Sequence, residues 1–586
     1  MIKKICRRKP IGTGSKGLAQ LPPIVQKILS NRAISSPEQV DYQLSRLQRP
    51  EHMRGLKDAI ELLLGALMSQ ERVCILGDFD ADGATSTALA VRCLFAFGFK
   101  HVDYLVPNRF EYGYGLTPEI VDVIATRAPS LLITVDNGIA SVEGVVKAQA
   151  YGMKVLITDH HLPGSTLPAA EAIVNPNQYG CDFESKNLAG VGVIFYVLNA
   201  LRARLRDEGW FLAQGLAEPR MADFLDLVAL GTVADVVPLD HNNRILVDQG
   251  LKRMRAGHCV PGIRALFEVG GRSMQRLTAS DLGFVAGPRL NAAGRLDDMS
   301  LGIRCLLTDS YQQARQIAVE LDSLNRERRA IEGSMQQEAT SHLDTLFTQA
   351  LSWPMAICLY QKDWHQGVIG ILASRIKDRL HRPTIIFASN GDGTLKGSGR
   401  SIVGVHLRDV LDRVATSHPG LLSKFGGHAM AAGLSLDENR LEEFQLAFVE
   451  VVEHALDGKP PEAELLTDGE LDDGDFTLDN AQLLQELGPW GQMFPEPSFD
   501  GEFRLLSQRI VGEKHLKLQL TPSEFSGLCV DAIAFNVDLD VWPDNSIQHA
   551  RIVYKLNMNE YRGEQNVQLL VDYLEPVTEL ERPSSG

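Results

Sequence analysis

The chain lacks most features that would mark it as secreted, disulfide-bonded or membrane-inserted. Its eight cysteines are singletons with no CxxC, so neither a disulfide framework nor a zinc ribbon is indicated and a reducing cytoplasm fits best. No run reaches the roughly 18 apolar residues of a membrane span. The start, Met1-Ile2-Lys3-Lys4-Ile5-Cys6-Arg7-Arg8-Lys9, lacks the long apolar stretch of a signal peptide and reads as a frayed basic tail. Internal repeats and low-complexity tracts are missing. Positive charge is scarce as well: 58 Lys and Arg stand against 74 Asp and Glu, a net −16. That balance repels nucleic acid on average, so any nucleic-acid site has to be a local basic groove helped by bound cations.

What is present points to a globular α/β protein of several domains. At 586 residues the chain exceeds what one core usually supports. From about 55 to 240, apolar strands alternate with amphipathic helices: strand 73–77, helix 84–97, strand 102–106, helix 117–127, strand 131–135, helix 141–151 and strand 154–158. Such alternation predicts a parallel sheet covered on both faces, with ligands at the carboxyl ends of its strands. Ahead of it, 37–47 reads as a helix with Ser36 as cap and Pro37 at its first position. Residues 222–233 have helical spacing, and 310–345, free of proline, predicts one long connecting helix. A second α/β stretch follows at 353–455, with strands 355–360 and 384–388 and a helix from Val368 to Leu380. The acidic segment from Asp457 to Asp479 contains Pro460-Pro461 and reads as a linker. Period-two runs at 503–506, 515–520, 552–556 and 567–571 predict a small antiparallel barrel. Trp490, Phe494, Phe499 and Phe503, at its entrance, are expected in the core.

The chemistry begins at Gly77-Asp78-Phe79-Asp80-Ala81-Asp82-Gly83, directly after the apolar run Val73-Cys74-Ile75-Leu76. Three carboxylates at alternating positions on one turn repel each other strongly without a counter-charge. Divalent cations held by hard oxygen ligands are the natural one. Two further strands end the same way, at Asp136-Asn137-Gly138 and at Asp159-His160-His161. With Asp235 in Gly231–Pro238, the set Asp78, Asp80, Asp82, Asp136, His160 and Asp235 offers carboxylates plus imidazole. That donor set suits Mn²⁺ or Mg²⁺, not structural zinc. Two such ions about 4 Å apart can activate water and stabilise a leaving oxyanion in phosphoester hydrolysis. Asp80, Asp136, His160, His161 and Asp235 form the candidate catalytic group, His161 either binding substrate phosphate or orienting a ligand. A glycine loop cradling a nucleotide is the competing use of such a turn, but its acidity would repel phosphate.

A second constellation is basic and glycine-rich. It comprises Gly287–Arg295 with Arg289, Asn291 and Arg295, Trp364–Gly370 with His365 and Gln366, Gly397–Ser401 with Ser398 and Arg400, and Phe425–His428 with Gly426, Gly427 and His428. Arginine forks bind phosphate bidentately, and exposed glycine backbone lets N–H groups reach anionic oxygens, while ordinary loop chemistry is an equal reading of each segment taken alone. Asn108–Gly115 adds Arg109 and Tyr114, a cation among aromatics suited to a single strand or, equally, to a packed loop.

In order and spacing, Gly77–Gly83, Asp136-Asn137-Gly138, Asp159-His160-His161 and Gly231–Pro238 resemble the four motifs of the DHH phosphoesterase superfamily. Trp364–Gly370 and Gly426-Gly427-His428 are similar to its DHHA1 domain, and DFDADGATST, VPNRFEYGYGL, TDHHLPG and GPRLNAAGR to its single-stranded-DNA exonuclease branch. The resemblance implies an approach segment (1–50), a DHH parallel-sheet domain (51–305) and a long connecting helix (306–348). A DHHA1 α/β domain (349–456), an acidic linker (457–480), a C-terminal OB-like β-barrel (481–577) and a tail (578–586) would follow. It implies a 5′→3′ exonuclease that frees mononucleotides from single-stranded DNA with two Mn²⁺ or Mg²⁺ ions, in recombination, repair and mismatch excision. Asp78, Asp80, Asp82, Asp136, His160 and Asp235 would form the metal centre with His161 close by, and Asp82 could be a supporting carboxylate. Arg109, Arg289, Ser398 and Arg400 would hold the 5′-end phosphates, with His365 facing the metals. Contacts with single-stranded-DNA-binding protein and a helicase are implied, and a monomer is expected. Two alternatives remain: a DHH phosphodiesterase for short oligonucleotides or cyclic dinucleotides, which would need neither barrel nor spacer helix, and a non-catalytic single-strand-binding scaffold.

Overall fold

The chain enters as a strand, not a frayed tail, in a computed structural model that describes residues 3–11, 16–108, 111–347, 353–522, 527–561 and 563–577. This strand, β1 (Lys4–Arg7), pairs far along the sequence, and the Arg7 guanidinium is forked onto Asp500. Two compact units follow from the contacts. One comprises Ile5–Gly294, Asp298–Leu321 and the chain from Leu466 onward; the other is Asp322–Leu465 with short pieces near Lys4 and at Arg295–Asp297.

In the first unit, β2 (Val73–Leu76), β3 (Val102–Leu105), β4 (Leu131–Val135), β5 (Lys154–Thr158) and β6 (Ala172–Val174) form a parallel sheet in the order β3-β2-β4-β5-β6. Every residue of β2 and β4 is buried, which is why both read as unbroken apolar runs. Helices Ala81–Phe97, Pro118–Ala125 and Val142–Ala150 follow β2, β3 and β4. Ser36 and Pro37 do start a turn, but 37–47 is not one helix: it forms two 3₁₀ turns, Pro37–Val40 and Leu44–Arg46. Its short turns satisfy only local backbone groups and bury no side chain of their own.

The second unit is built on β7 (Ile357–Tyr360), β8 (Thr384–Ser389), β9 (Thr394–Arg400), β10 (Lys424–Gly427) and β11 (Ala431–Asp437), in the order β10-β11-β9-β8-β7. Only β7 and β8 run parallel. The helix Tyr311–Phe347 enters this unit and lends Met335, Ala339 and Leu343 to the core on one sheet face. Phe387, Phe444 and Phe448 centre the core on the other. The acidic segment after residue 457 is more than a linker. It holds β12 (Glu464–Thr467), the partner of β1, and ends in the helix Leu478–Glu486.

Back in the first unit, β13 (Phe499–Val511), β14 (His515–Thr521), β15 (Val530–Ala534), β16 (His549–Tyr561) and β17 (Glu564–Pro576) close into a barrel in the order β13-β14-β15-β17-β16. It is not wholly antiparallel, because β15 pairs parallel with β17. Phe494, Phe499 and Phe503 are buried, as expected. Trp490 stacks on Phe494, and the Arg32 guanidinium lies over the indole.

Candidate metal centre

Each predicted carboxylate sits at an end of a buried element of the first unit. Asp78 follows β2 by one glycine and is buried, its Oδ1 accepting the Phe79 N–H at 2.7 Å. Asp80 caps the helix Ala81–Phe97, accepting from the Asp82 and Gly83 N–H groups at 2.9 and 3.0 Å. Asp82, in the first helical turn, is fully buried. Its two oxygens accept from Gly190 N at 2.6 Å and Val191 N at 2.9 Å, where the helix Gly190–Asp207 begins. Burial, then the charge of Asp80, pushes Asp82 up to about 7, although those two backbone bonds oppose it.

Asp136 leaves β4 in the left-handed region at φ 63° and is 2% exposed. Gly190 presses against it so closely that a Cβ there would overlap the Asp136 side chain. Beside it, buried Asn137 donates to Leu76 O at 3.2 Å and Val135 O at 2.9 Å, tying the ends of β2 and β4 together. Asp235 closes the helix Leu225–Ala234, whose Gly231 leaves room for Thr85 and Asp82. Burial first, then neighbouring carboxylates, holds both Asp136 and Asp235 well above the usual carboxylate range.

His160 and His161 follow β5. His160 Nε2 lies 3.1 Å from Asp136 Oδ1 and 3.5 Å from Asp235 Oδ2. Asp159, which precedes the two histidines, is fully engaged by hydrogen bonds. It accepts from His160 N at 2.7 Å, His161 N at 3.0 Å, His161 Nδ1 at 2.7 Å and Ile139 N at 2.9 Å. Burial alone would raise Asp159, but His161's hydrogen bond and charge hold it below its ordinary value. Burial likewise works against the His161 cation, yet the Asp159 partnership keeps His161 raised. The Tyr114 hydroxyl donates to Asp136 O at 3.2 Å and its ring meets His161 edge-on. Tyr114 is therefore part of this rim.

Three overlapping sets have ligand atoms within 4.8 Å of one another: Asp136, His160 and His161; Asp82, His160 and Asp235; Asp78, Asp80 and Asp136. Among the described residues, Asp82, Asp136 and Asp235 pair with no lysine or arginine. Asp136 Oδ1 is buried and accepts no hydrogen bond. Buried carboxylates that crowd together without a lysine or arginine, around an oxygen that accepts no hydrogen bond, fit hard divalent cations such as Mn²⁺ and Mg²⁺.

The basic constellation divides between the units. In the first, Asn291 Oδ1 accepts the Ala81 N–H at 2.7 Å, bracing the acidic turn, and buried Arg289 donates to Val285 O at 2.7 Å. Both lie on the helix Gly287–Leu296, where a loop was an equal expectation. In the second, Arg295 donates to Gly367 O at 3.1 Å beside His365. Gln366 is bonded to Ser389 O at 2.9 Å, and Arg400 donates to Ser398 Oγ at 3.3 Å. Gly370 lies against both Ser398 and Arg400. Gly397 and Gly399 are packing residues, not anion cradles, because a Cβ would run into Phe387, Leu434 or Leu407. Gly426 and Gly427 belong to β10, with His428 at its turn. Arg109 falls outside the described residues. Asn137 and Gly231 stood inside quoted motifs without a role, and Gly190 was not singled out at all: a glycine or an amide carries no charge signal, and its role appears only when two elements meet.

Models of three families match the chain: the DHH family N-terminal domain over residues 72–232, the DHHA1 domain over 352–454 and the RecJ OB domain over 467–573. The single-stranded-DNA-specific exonuclease RecJ of Escherichia coli (strain K12) is 53% identical over 571 residues, covering 97% of this chain and 99% of the relative. That of Haemophilus influenzae is 50% identical, covering 99% and 100%. The crystal structure of RecJ with Mn²⁺ from Thermus thermophilus superposes with a TM-score of 0.79 at 30% identity, over 98% of this chain and 79% of that one. The same protein with Mg²⁺ gives 0.74 at 28%, over 98% and 78%.

Proposed function

The chain belongs to the RecJ family of the DHH superfamily, and from that premise we propose how its residues divide the work. It is a metal-dependent exonuclease specific for single-stranded DNA, using Mn²⁺ or Mg²⁺. In our reading it works 5′→3′, releases mononucleotides and serves recombination and repair. Asp78, Asp80, Asp136, His160 and Asp235 hold the cations directly. Bound there, two divalent ions supply Lewis acidity and activated water for phosphodiester hydrolysis. Asp82, both of whose oxygens are claimed by Gly190 and Val191, positions the acidic turn against its neighbouring helix. Asp159 fixes the orientation of His161 and keeps it protonated more readily than a free imidazole, as suits a donor to a phosphate oxygen. Tyr114 fixes the other side of that ring.

Arg289, Arg295, His365, Ser398, Arg400 and the Gly426–His428 turn serve the same substrate by holding its phosphates, with Arg109 added from the sequence. Arg400 in particular is desolvated, which lowers its pKa and sharpens its need for an anion. The enzyme acts as a monomer in the cytoplasm, with single-stranded-DNA-binding protein and a helicase as partners. Among the described residues no helix is long and apolar enough to cross a membrane.

The observation that carries this reading is the meeting of Asp136, His160 and Asp235 at the carboxyl ends of β4, β5 and the helix Leu225–Ala234. Its test uses 5′-labelled single-stranded DNA, duplex DNA and a dinucleotide, each with Mn²⁺ and with chelator. Single strands should be degraded from the 5′ end only with metal, and duplex spared. Equal loss of duplex, or cleavage confined to the dinucleotide, contradicts it.

A further inference from the structure

The second unit's sheet shows one face with an uncovered half. Register sets Lys424, Ser435, Lys396 and Ala388 side by side across four strands. The next row is Gly426, Gly433, Ser398 and Ile386, and the third holds Ala431, Arg400 and Thr384. Ile386 and Ala388, on β8, lie beneath Val368, Leu372 and residues of the long helix. Toward β10 the cover stops. Lys424, Gly426 and Gly433 are exposed, and a Cβ at Gly426 would meet nothing within 4 Å. A Cβ at Gly433 would meet only Gly397 O, at 4.0 Å.

Residues two apart on a strand share a face about 7 Å apart, and neighbouring strands lie about 4.8 Å apart. Lys396 thus stands one step along β9 from Ser398, and Lys424 lies across Ser435 from it. Neither ammonium is engaged by a carboxylate among the described residues. The nearest acid on this face by register is Asp437, one row further out opposite Thr394. On a chain of net −16, two lysines on this strip, with the covered Arg400 guanidinium at its end, ask for an anionic occupant.

We infer that this strip is a backbone track for the single strand. Lys396 and Lys424 bind phosphates of nucleotides beyond the one held by Ser398 and Arg400, and Gly426 and Gly433 form a floor low enough for the sugar–phosphate chain. The inference rests on the exonuclease reading above and extends it from the reacting nucleotide to the strand behind it. The contacts are electrostatic and blind to base, as a non-specific nuclease requires.

The test compares full-length wild type with Lys396→Gln, Lys424→Gln, the double variant and Lys396→Arg. Binding of an oligothymidylate is followed against salt in chelator, and turnover of the oligomer and of a dinucleotide is measured in Mn²⁺. Each lysine-to-glutamine change should make the slope of log K against log salt shallower by about 0.7. The double variant should raise KM for the oligomer roughly tenfold with kcat kept. Dinucleotide turnover should stay at the wild-type value, and Lys396→Arg should restore the slope. An unchanged slope, an equal fall in dinucleotide turnover, or an arginine variant as weak as the glutamine one overturns the track. If wild type itself leaves single strands intact in Mn²⁺, the exonuclease reading fails instead.

Discussion

Asp136 combines three costs at one position: a left-handed backbone, burial and a carboxylate crowd. Such strain persists only where its surroundings over-determine it, and it gathers at functional sites. Gly190 is one of those surroundings. Adding a methyl there, Gly190→Ala, forces either Asp136 or the helix Gly190–Asp207 to move. We expect a loss of about 1–3 kcal/mol in stability and a fall in turnover larger than the stability loss explains, measured at a temperature where the variant is folded. A variant with normal turnover would show that Asp136 need not stay where it is.

Asp226 offers a pH signature away from the proposed metal centre. It is fully buried, accepts from Leu227 N at 2.8 Å and Val260 N at 2.7 Å, and burial outweighs those bonds to push it up to about 6. Between its ordinary 3.8 and about 6 the folded chain holds a proton that the unfolded chain has released. Stability from this group is therefore greatest at low pH and falls as pH rises through that window, by roughly 3 kcal/mol in all. In Asp226→Asn that fall should vanish, so chemical denaturation of both proteins from pH 4 to pH 6.5 gives diverging slopes. Parallel slopes would mean Asp226 is ionised throughout.

At the scale of elements, the turn before the barrel grips the surroundings of the first unit's parallel sheet. Leu239 N donates to Gln492 O at 2.8 Å, and the Leu239 carbonyl is held by Arg244 at 2.8 Å. Arg244 lies 4.1 Å from the Phe494 ring, which stacks on Trp490 beneath Arg32. Arg32 is forked onto Asp468 at 2.9 and 3.0 Å, both side chains almost wholly buried. Asp468→Ala strands a buried guanidinium and should cost about 3–5 kcal/mol. Thermal unfolding reads this directly; a shift within error would mean water reaches Arg32.

These elements also explain what the sequence could convey. β4 and β5 were read with their observed limits because parallel strands buried on both faces are unbroken apolar runs. The acidic turns stood out because charge after such a run is costly. Gly287–Leu296 was equally readable as a loop, since Gly287, Pro288 and Gly294 punctuate it. It is a helix, and Gly294 lets that helix lie against Phe79 O, a contact made across more than two hundred residues of sequence. Gly397 and Gly399 misled in the same way: they mark where Phe387 and Leu407 need space, not where an anion sits. The 37–47 segment looked helical from its cap and proline alone, and local signals do not fix length.

For the whole molecule, the central claim is that a carboxylate and imidazole cluster at the rim of a parallel sheet holds the cations that cleave single-stranded DNA. Cations that bind only the folded chain stabilise it by mass action, about 2.7 kcal/mol at a hundredfold excess over Kd. Mn²⁺ should therefore raise the melting temperature and chelator lower it. The most direct measurement is calorimetric titration of Mn²⁺ into wild type and Asp136→Ala, with single-strand binding measured in chelator. Wild type should bind two ions and Asp136→Ala fewer or far weaker ones, with hydrolysis abolished and DNA binding largely kept. Two ions of wild-type affinity on Asp136→Ala, together with near-normal turnover, would contradict the central claim.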